Sequence, residues 1–183
     1  MSAFYNSIGS DIDILGGDIG VGEREVGYLF GQYKLLTNSY DSIITSKPLA
    51  LGGSLGRTEA TGYGLIYFTE TLLQDQNDTL KGKICAVSGS GNVAIHAIEK
   101  LYDMGAIPVT CSDSRGAVHD SNGIDLALLK KIKLERRASL EYYASERKSA
   151  VLVKHDAFNN CAIYVLQIPC FSAVPCATKN ELD

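Results

Sequence analysis

Residues 82–94 read Gly82-Lys83-Ile84-Cys85-Ala86-Val87-Ser88-Gly89-Ser90-Gly91-Asn92-Val93-Ala94, an apolar strand running straight into a Gly-x-Gly-x-x-Ala turn that opens a helix. Glycine spacing of this kind is common by itself, and its meaning depends on the strand before it and the amphipathic helix after it. Ile84, Ala86 and Val87 supply the strand. From Asn92 to Met104 the residues Val93, Ala97, Ile98, Leu101 and Met104 fall on one helical face, with Gly105 as the stop. Gly89 permits a tight turn, Gly91 lets a pyrophosphate approach bare backbone, and Ala94 is small enough for the helix to pack close to the strand. The helix N-terminus offers unpaired N–H groups and the positive end of its dipole to an anion. The stretch therefore reads as a dinucleotide-binding turn.

The remainder of the chain is compatible with a globular protein built around that turn. Its 183 residues are 45% hydrophobic and 21% charged, with a formal net charge of −4, so no basic face is expected to hold nucleic acid. The run from Lys130 to Arg137 is short and reads as a solvated helix face. The cysteines at 85, 111, 161, 170 and 176 form no Cys-x-x-Cys, which suits a reduced, intracellular protein with the cytoplasm as the expected location. His96, His119 and His155 match no metal-ligand spacing, and no metal site is expected. No basic-then-apolar leader opens the chain, and no run is long enough to cross a bilayer.

Glycine clusters at 16–22, 52–56, 62–64 and 89–91 divide the chain into units. After the first cluster, Val26, Leu29, Phe30 and Tyr33 recur at helical spacing to about Leu36, and a short extended stretch follows at Ile43–Thr45. A second helix is expected from an N-cap at Thr58, with Leu65, Phe68 and Leu72 on its inner side, ending at the polar segment 74–79. Ile107–Cys111 is the next strand, followed by a turn-rich stretch through Gly123. A basic helix is expected from Asp125 to Arg137 and a short one over Leu140–Glu146. Cys161–Ile168 reads as a strand, and residues 174–178 as a strand edge entering a turn. Strands alternating with helices imply a parallel sheet with right-handed crossovers.

Several segments together resemble the glutamate dehydrogenases, in particular the NADP-linked hexameric branch. They are Gly17-Asp18-Ile19-Gly20-Val21-Gly22, Gly27-Tyr28-Leu29-Phe30-Gly31-Gln32-Tyr33, Gly52-Gly53-Ser54-Leu55, Glu59-Ala60-Thr61-Gly62-Tyr63-Gly64, Val87–Ala94, Ser112-Asp113-Ser114 and Pro175-Cys176-Ala177-Thr178-Lys179-Asn180-Glu181-Leu182. The resemblance implies an α/β chain. Residues 1–55 would be the C-terminal part of a substrate (dimerisation) domain, and 56–183 an incomplete, Rossmann-type doubly wound parallel sheet, with the active site in the cleft between them. It implies reversible oxidative deamination of L-glutamate to 2-oxoglutarate and ammonia with NADP, NAD being the alternative cofactor, in a homohexamer.

The same resemblance makes Asp18 the acid/base group that shuttles protons while an imine forms and is hydrolysed, a task suited to a placed carboxylate; Gly17 would offer backbone to the substrate. By local pattern alone Asp18 could equally cap a helix or fix a glycine turn. Thr61 would face the nicotinamide end of the cofactor. Ser88, Gly89, Ser90, Gly91, Asn92 and Val93 would line its phosphates, Asn92 having an N-cap as its plain alternative. Ala177, Thr178 and Asn180 would complete the cofactor contacts. An acidic residue about twenty positions past the glycines ordinarily bonds a ribose 2′-hydroxyl, and Asp113 lies near that place. Ser112, Ser114 and Arg115 flank it, and Lys133 matches a lysine that the NADP-linked branch uses for the 2′-phosphate.

The sequence also departs from the family pattern. Thr58, Ser10 and Leu15 stand where prolines are usual, and residues 158–172 follow the pattern poorly. The family's catalytic lysine segment maps upstream of Met1, and a substrate-binding serine maps beyond Leu182. The chain is accordingly expected to be an internal fragment exposing apolar faces. A leucine, valine or phenylalanine dehydrogenase, or a fragment that binds nucleotide without turnover, remain the alternatives.

Overall fold

The computed structural model describes residues 1–41, 43–154, 164, 165 and 167–181. It contains two compact units, Met1–Ala60 and Thr61–Asp183.

In the first unit, helix α1 (Glu23–Thr37) follows the glycine-rich loop. Gly22 is its N-cap, and the Glu25 carboxylate reaches back to accept from the Gly22 N–H at 3.0 Å, the reciprocal half of a capping box. Asn38, in left-handed conformation, closes the helix by donating to the Lys34 carbonyl. Val26, Phe30 and Tyr33 point inward at the expected spacing and pack with Ile8, Ile43 and Ile44. The extended stretch at 43–45 forms a parallel bridge to Leu15: Leu15 N–H donates to Ile43 O and Thr45 N–H to Leu15 O. This bridge ties the start of the Gly16–Gly22 loop to the small core. Gly53 could be nothing else, since an added Cβ would fall 1.8 Å from the Lys47 carbonyl oxygen.

Helix α2 spans Arg57–Gln74. It begins one residue before the expected cap, so Thr58 lies in the first turn, where its hydroxyl donates to Glu23 Oε1 at 2.6 Å. The inner face also differs from expectation. Gly62 and Ile66 are buried and Leu65 and Leu73 partly so, whereas Phe68 and Leu72 are 64% and 48% exposed. The cause is the bare backbone of Gly62, which lets α2 lie against helix α3 (Asn92–Asp103) and rotates the Gly62–Ile66 stripe inward.

The second unit is built on β1 (Ile84–Val87), which pairs in parallel with β2 (Ile107–Pro108) on one side and with β6 (Ser172–Val174) on the other. The expected parallel α/β core is present, with α3 as the crossover between β1 and β2. Ala94, Ile95, Ala97, Ile98 and Leu101 form the buried face of α3, and Gly105, at φ +77°, ends it.

A three-stranded antiparallel sheet adds to this core, and the sequence reading did not anticipate it. β3 (Thr110–Asp113) continues from β2 and turns back into β4 (Gly116–Asp120), which pairs with β5 (Ala150–Lys154). β4 has only two apolar side chains, Ala117 and Val118, and lies between turn signals, so its sequence reads as loop; pairing on both sides makes it a strand. α4 (Leu126–Lys130), capped by Asp125, passes into a single π-helical segment, Lys131–Arg136, and α5 (Leu140–Glu146) falls where expected. Of the strand expected at Cys161–Ile168, residues 161–163 and 166 lie outside the described residues, as does His155. Tyr164, Val165 and Gln167 are helical instead.

Candidate functional site

Where β2 passes into β3, the chain leaves the parallel ladder, and a side chain takes over the backbone pairing. The Thr110 hydroxyl accepts from Val87 N–H at 2.7 Å and donates to Val87 O at 3.0 Å. Ser112 does the same for the next turn: its Oγ accepts from Gly89 N–H at 2.8 Å, and its own N–H donates to Gly89 O at 3.0 Å. Both residues are buried. The sequence reading passed over Thr110 and gave Ser112 only as a polar neighbour of Asp113, whereas its buried Oγ is turned to the Gly89 amide. The available signal was a pair of hydroxyl residues alternating within an otherwise apolar strand.

The glycine turn is thereby fixed from the β3 side, and residues 174–181 fix it from the β6 side. Gly89 sits at φ +83°, and a Cβ there would lie 2.8 Å from Cys176 O and 3.0 Å from Ala177 Cα. Only glycine meets both demands. Gly91 is the N-cap of α3, without a side-chain cap, and a Cβ on it would meet no described atom within 4 Å. Open space therefore lies in front of the α3 N-terminus, where Gly91 and Asn92 are exposed. Asn92 is the first helical residue, not the N-cap, and Val93 is half-buried. This geometry fits the diphosphate of a dinucleotide: bare backbone at Gly91, the N–H groups of the first turn and a favourable dipole end converge on open space.

Ser88 and Ser90 are buried beneath the turn. The Ser88 hydroxyl accepts from Cys176 N–H at 2.9 Å and donates to the Glu181 carboxylate. Glu181 also accepts from Ala177 N–H at 2.7 Å and from Thr178 N–H. A cavity of about 260 Å³ opens here, lined by Pro175, Thr178, Asn180 and Glu181. Burial, with the Glu181 charge adding to it, pushes the Cys176 thiol up to about 12.

At the end of β3, Asp113 is held on all sides. Oδ1 accepts from Arg115 N–H at 2.9 Å and Gly116 N–H at 3.2 Å, fixing the β3–β4 turn. Oδ2 accepts from Lys133 Nζ at 3.0 Å and Leu140 N–H at 3.1 Å. Burial acts to raise the pKa of Asp113, but these bonds, with the Lys133 charge, outweigh it and hold the carboxyl below the usual carboxylate range. Lys133 comes from the π-helical segment and also donates to Ala138 O at 3.2 Å. Ser114 is exposed at the hairpin tip. The run from 130 to 137 is thus more than a solvated face: Lys130 pairs with Glu99 at 2.6 Å, Lys133 with Asp113 and Arg136 with Glu146 at 2.6 Å.

Because α2 starts at Arg57, Thr61 is its fifth residue, just past the first turn, and it is exposed. In the first unit, Asp18 is exposed too; its Oδ1 accepts from Ile19 N–H at 2.8 Å and its carbonyl from Val21 N–H at 2.8 Å. It therefore fixes its own turn and does not cap α1, which Gly22 does. Gly17 packs against Ser46, and a Cβ on it would lie 2.8 Å from Val21 O.

Residues 52–183 match the family model for glutamate/leucine/phenylalanine/valine dehydrogenase. The chain belongs to that family. It is 54% identical over all 183 residues to the NADP-specific glutamate dehydrogenase of Helicobacter pylori, of which it covers 41%. Against the NAD(P)-specific glutamate dehydrogenase of Xylanibacter ruminicola it is 46% identical, covering 40% of that protein. Among solved structures, Plasmodium falciparum glutamate dehydrogenase superposes with a TM-score of 0.84 at 38% identity, over 100% of this chain and 38% of that one. The chain thus spans about two fifths of the length of these relatives. β1, the 89–91 turn and α3 form the parallel strand–turn–helix core of the second unit.

Proposed function

We propose that the chain contributes the cofactor half, and the acid/base aspartate, of an NADP-linked glutamate dehydrogenase catalysing reversible oxidative deamination of L-glutamate to 2-oxoglutarate and ammonia. The observation that carries this reading is the open, glycine-walled N-terminus of α3, braced on both sides, within a chain 54% identical to an NADP-specific enzyme. When bound, the nicotinamide supplies the acceptor for the hydride leaving the substrate Cα.

The chain's own residues do the rest. Gly89, Gly91, Asn92 and Val93 would hold the diphosphate through backbone N–H groups, with Ser88 and Ser90 supporting the turn from below. Ser114 and Lys133 would receive the 2′-phosphate. Asp113, its charge already answered by Lys133 and three amides, is poorly placed to act as a ribose acceptor, which supports NADP over NAD. Thr61, Ala177, Thr178 and Asn180 would contact the nicotinamide end. Asp18, exposed and held by one oxygen, would accept and return protons as the imine forms and is hydrolysed, with Gly17 presenting backbone to the substrate. In this reading residues 1–55 belong to a substrate domain and 56–183 to a dinucleotide domain, in a cytoplasmic hexamer.

Two measurements test the proposal. The purified chain should bind NADP+ in a calorimetric titration; a flat titration removes the cofactor reading. In a chimera carrying residues 1–183 in place of the matching segment of the Helicobacter pylori relative, glutamate-dependent reduction of NADP+ should proceed. Asp18→Asn should abolish that turnover while leaving NADP+ affinity nearly unchanged. Undiminished rates would return Asp18 to its turn-fixing role.

A further inference from the structure

The loop after β6 is held against the glycine turn by one carboxylate acting through one hydroxyl. The Ser88 hydroxyl, immediately before Gly89, accepts from Cys176 N–H and donates to Glu181. The same Glu181 carboxylate gathers the Ala177 and Thr178 N–H groups. Gly89 adds a backbone contact to Cys176 and Ala177 too close for any side chain. The β2-β1-β6 order puts the two sides of the turn to different uses. β2 leads through β3 to Asp113 and Lys133, where an adenosine 2′-phosphate would end. A dinucleotide crossing the end of β1 therefore places its other half over β6 and the 175–181 loop.

We infer that Glu181 is a positioning residue for the nicotinamide half of the cofactor, fixing the Ala177–Asn180 loop to the phosphate-binding turn through Ser88. The inference rests on the cofactor reading above. Without the carboxylate, the Ala177 and Thr178 N–H groups and the Ser88 hydroxyl lose their common acceptor. The loop then must be ordered at the moment of binding, which weakens recognition of whatever it contacts. The adenosine side, braced independently by Ser112 and Asp113, is untouched. The chain thereby separates recognition of the two ends of one ligand.

The test compares two probes, NADPH and adenosine 2′,5′-bisphosphate, which lacks the nicotinamide nucleoside. In Glu181→Leu, NADPH affinity should fall about fivefold or more while the bisphosphate stays within about twofold. The blue shift and enhancement of NADPH fluorescence on binding should be lost as well. Glu181→Gln keeps an acceptor for the two amides and should restore most of both signals. Circular dichroism on each variant confirms that the fold is retained, and the bisphosphate titration does so functionally. Equal loss of both probes, no loss of either, or failure of Glu181→Gln to rescue would each overturn the inference. If the unsubstituted chain bound neither probe, the cofactor reading itself would fall, and the inference with it.

Discussion

A Cβ placed on Gly62 would lie 2.6 Å from the carbonyl oxygen of Val93 and 2.7 Å from the Ala97 amide nitrogen. Helices α2 and α3 therefore meet backbone to backbone directly behind the candidate phosphate site, and the position of the α3 N-terminus depends on that contact. Gly62→Ala should destabilise the second unit by ~1–3 kcal/mol, the usual cost of overpacking. Urea denaturation followed by circular dichroism measures it. An unchanged midpoint would mean that α2 yields at this crossing without cost.

Thr110 stands in for a missing stretch of ladder by bonding both polar groups of Val87. Thr110→Val leaves a buried N–H and a buried C=O without their partner, at a cost of ~1–3 kcal/mol each at most. Thr110→Ser should retain most of the stability. Full stability in Thr110→Val beside a loss in Thr110→Ser, in the same urea experiment, would assign the effect to the methyl group and not to the hydroxyl.

Lys133 is expected to discriminate between cofactors. If Lys133 receives the 2′-phosphate as proposed, Lys133→Met would remove a charge-assisted bond worth ~1.5–3 kcal/mol, and NADP+ affinity should fall by about tenfold or more. NAD+ affinity should hold. A parallel loss for both cofactors, by calorimetry, would show that Lys133 serves the fold through Asp113 alone.

Asp113 and Asp120 set the acid limb of stability. Burial raises the pKa of each, but Lys133 with its neighbouring amides, and Arg147 at 2.6 Å from Asp120 with the Asn122 amide, hold both below the ordinary carboxylate value. Their contribution is fully present above the unfolded value of ~3.9 and disappears as pH falls through the lower folded values. Thermal melts should therefore be insensitive to these two groups between pH 7 and 5 and should fall steeply below about pH 4. Asp120→Asn should flatten that fall; an identical acid limb would assign it to other carboxylates.

Cysteine reactivity separates buried from accessible thiols. Burial pushes Cys85 up to about 11, aided by Cys170, and raises Cys111 further still. Both should resist a thiol-specific reagent at pH 8 until the chain unfolds. Mass spectrometry of time-resolved labelling would locate any native-state modification at either position, and rapid labelling would contradict their placement.

Much of the architecture was legible because it follows from local pattern. The α1 face of Val26, Phe30 and Tyr33, the α3 stripe and α5 all repeat at helical spacing, and Gly105 stops α3 where a left-handed residue is required. β4 was illegible because Gly116 to Asp120 offers only two apolar residues, Ala117 and Val118, between turn residues, and hydrogen bonds to β3 and β5 make it a strand. The inner face of α2 was misread for a related reason. Phe68 and Leu72 look like core residues, yet the crossing at Gly62 turns them outward.

By itself the sequence determined the glycine turn at 89–91, the helix that follows it and the family, since these reside in short segments whose backbone demands are met by specific residues such as Gly89. Tertiary structure decided what those residues touch. It placed Glu181 beside Ser88, 93 positions away, and Lys133 against Asp113, 20 positions away. Such pairings depend on which strand lies beside β1 and where β3 turns back. No local propensity encodes that, because the bonds form only after distant segments have packed.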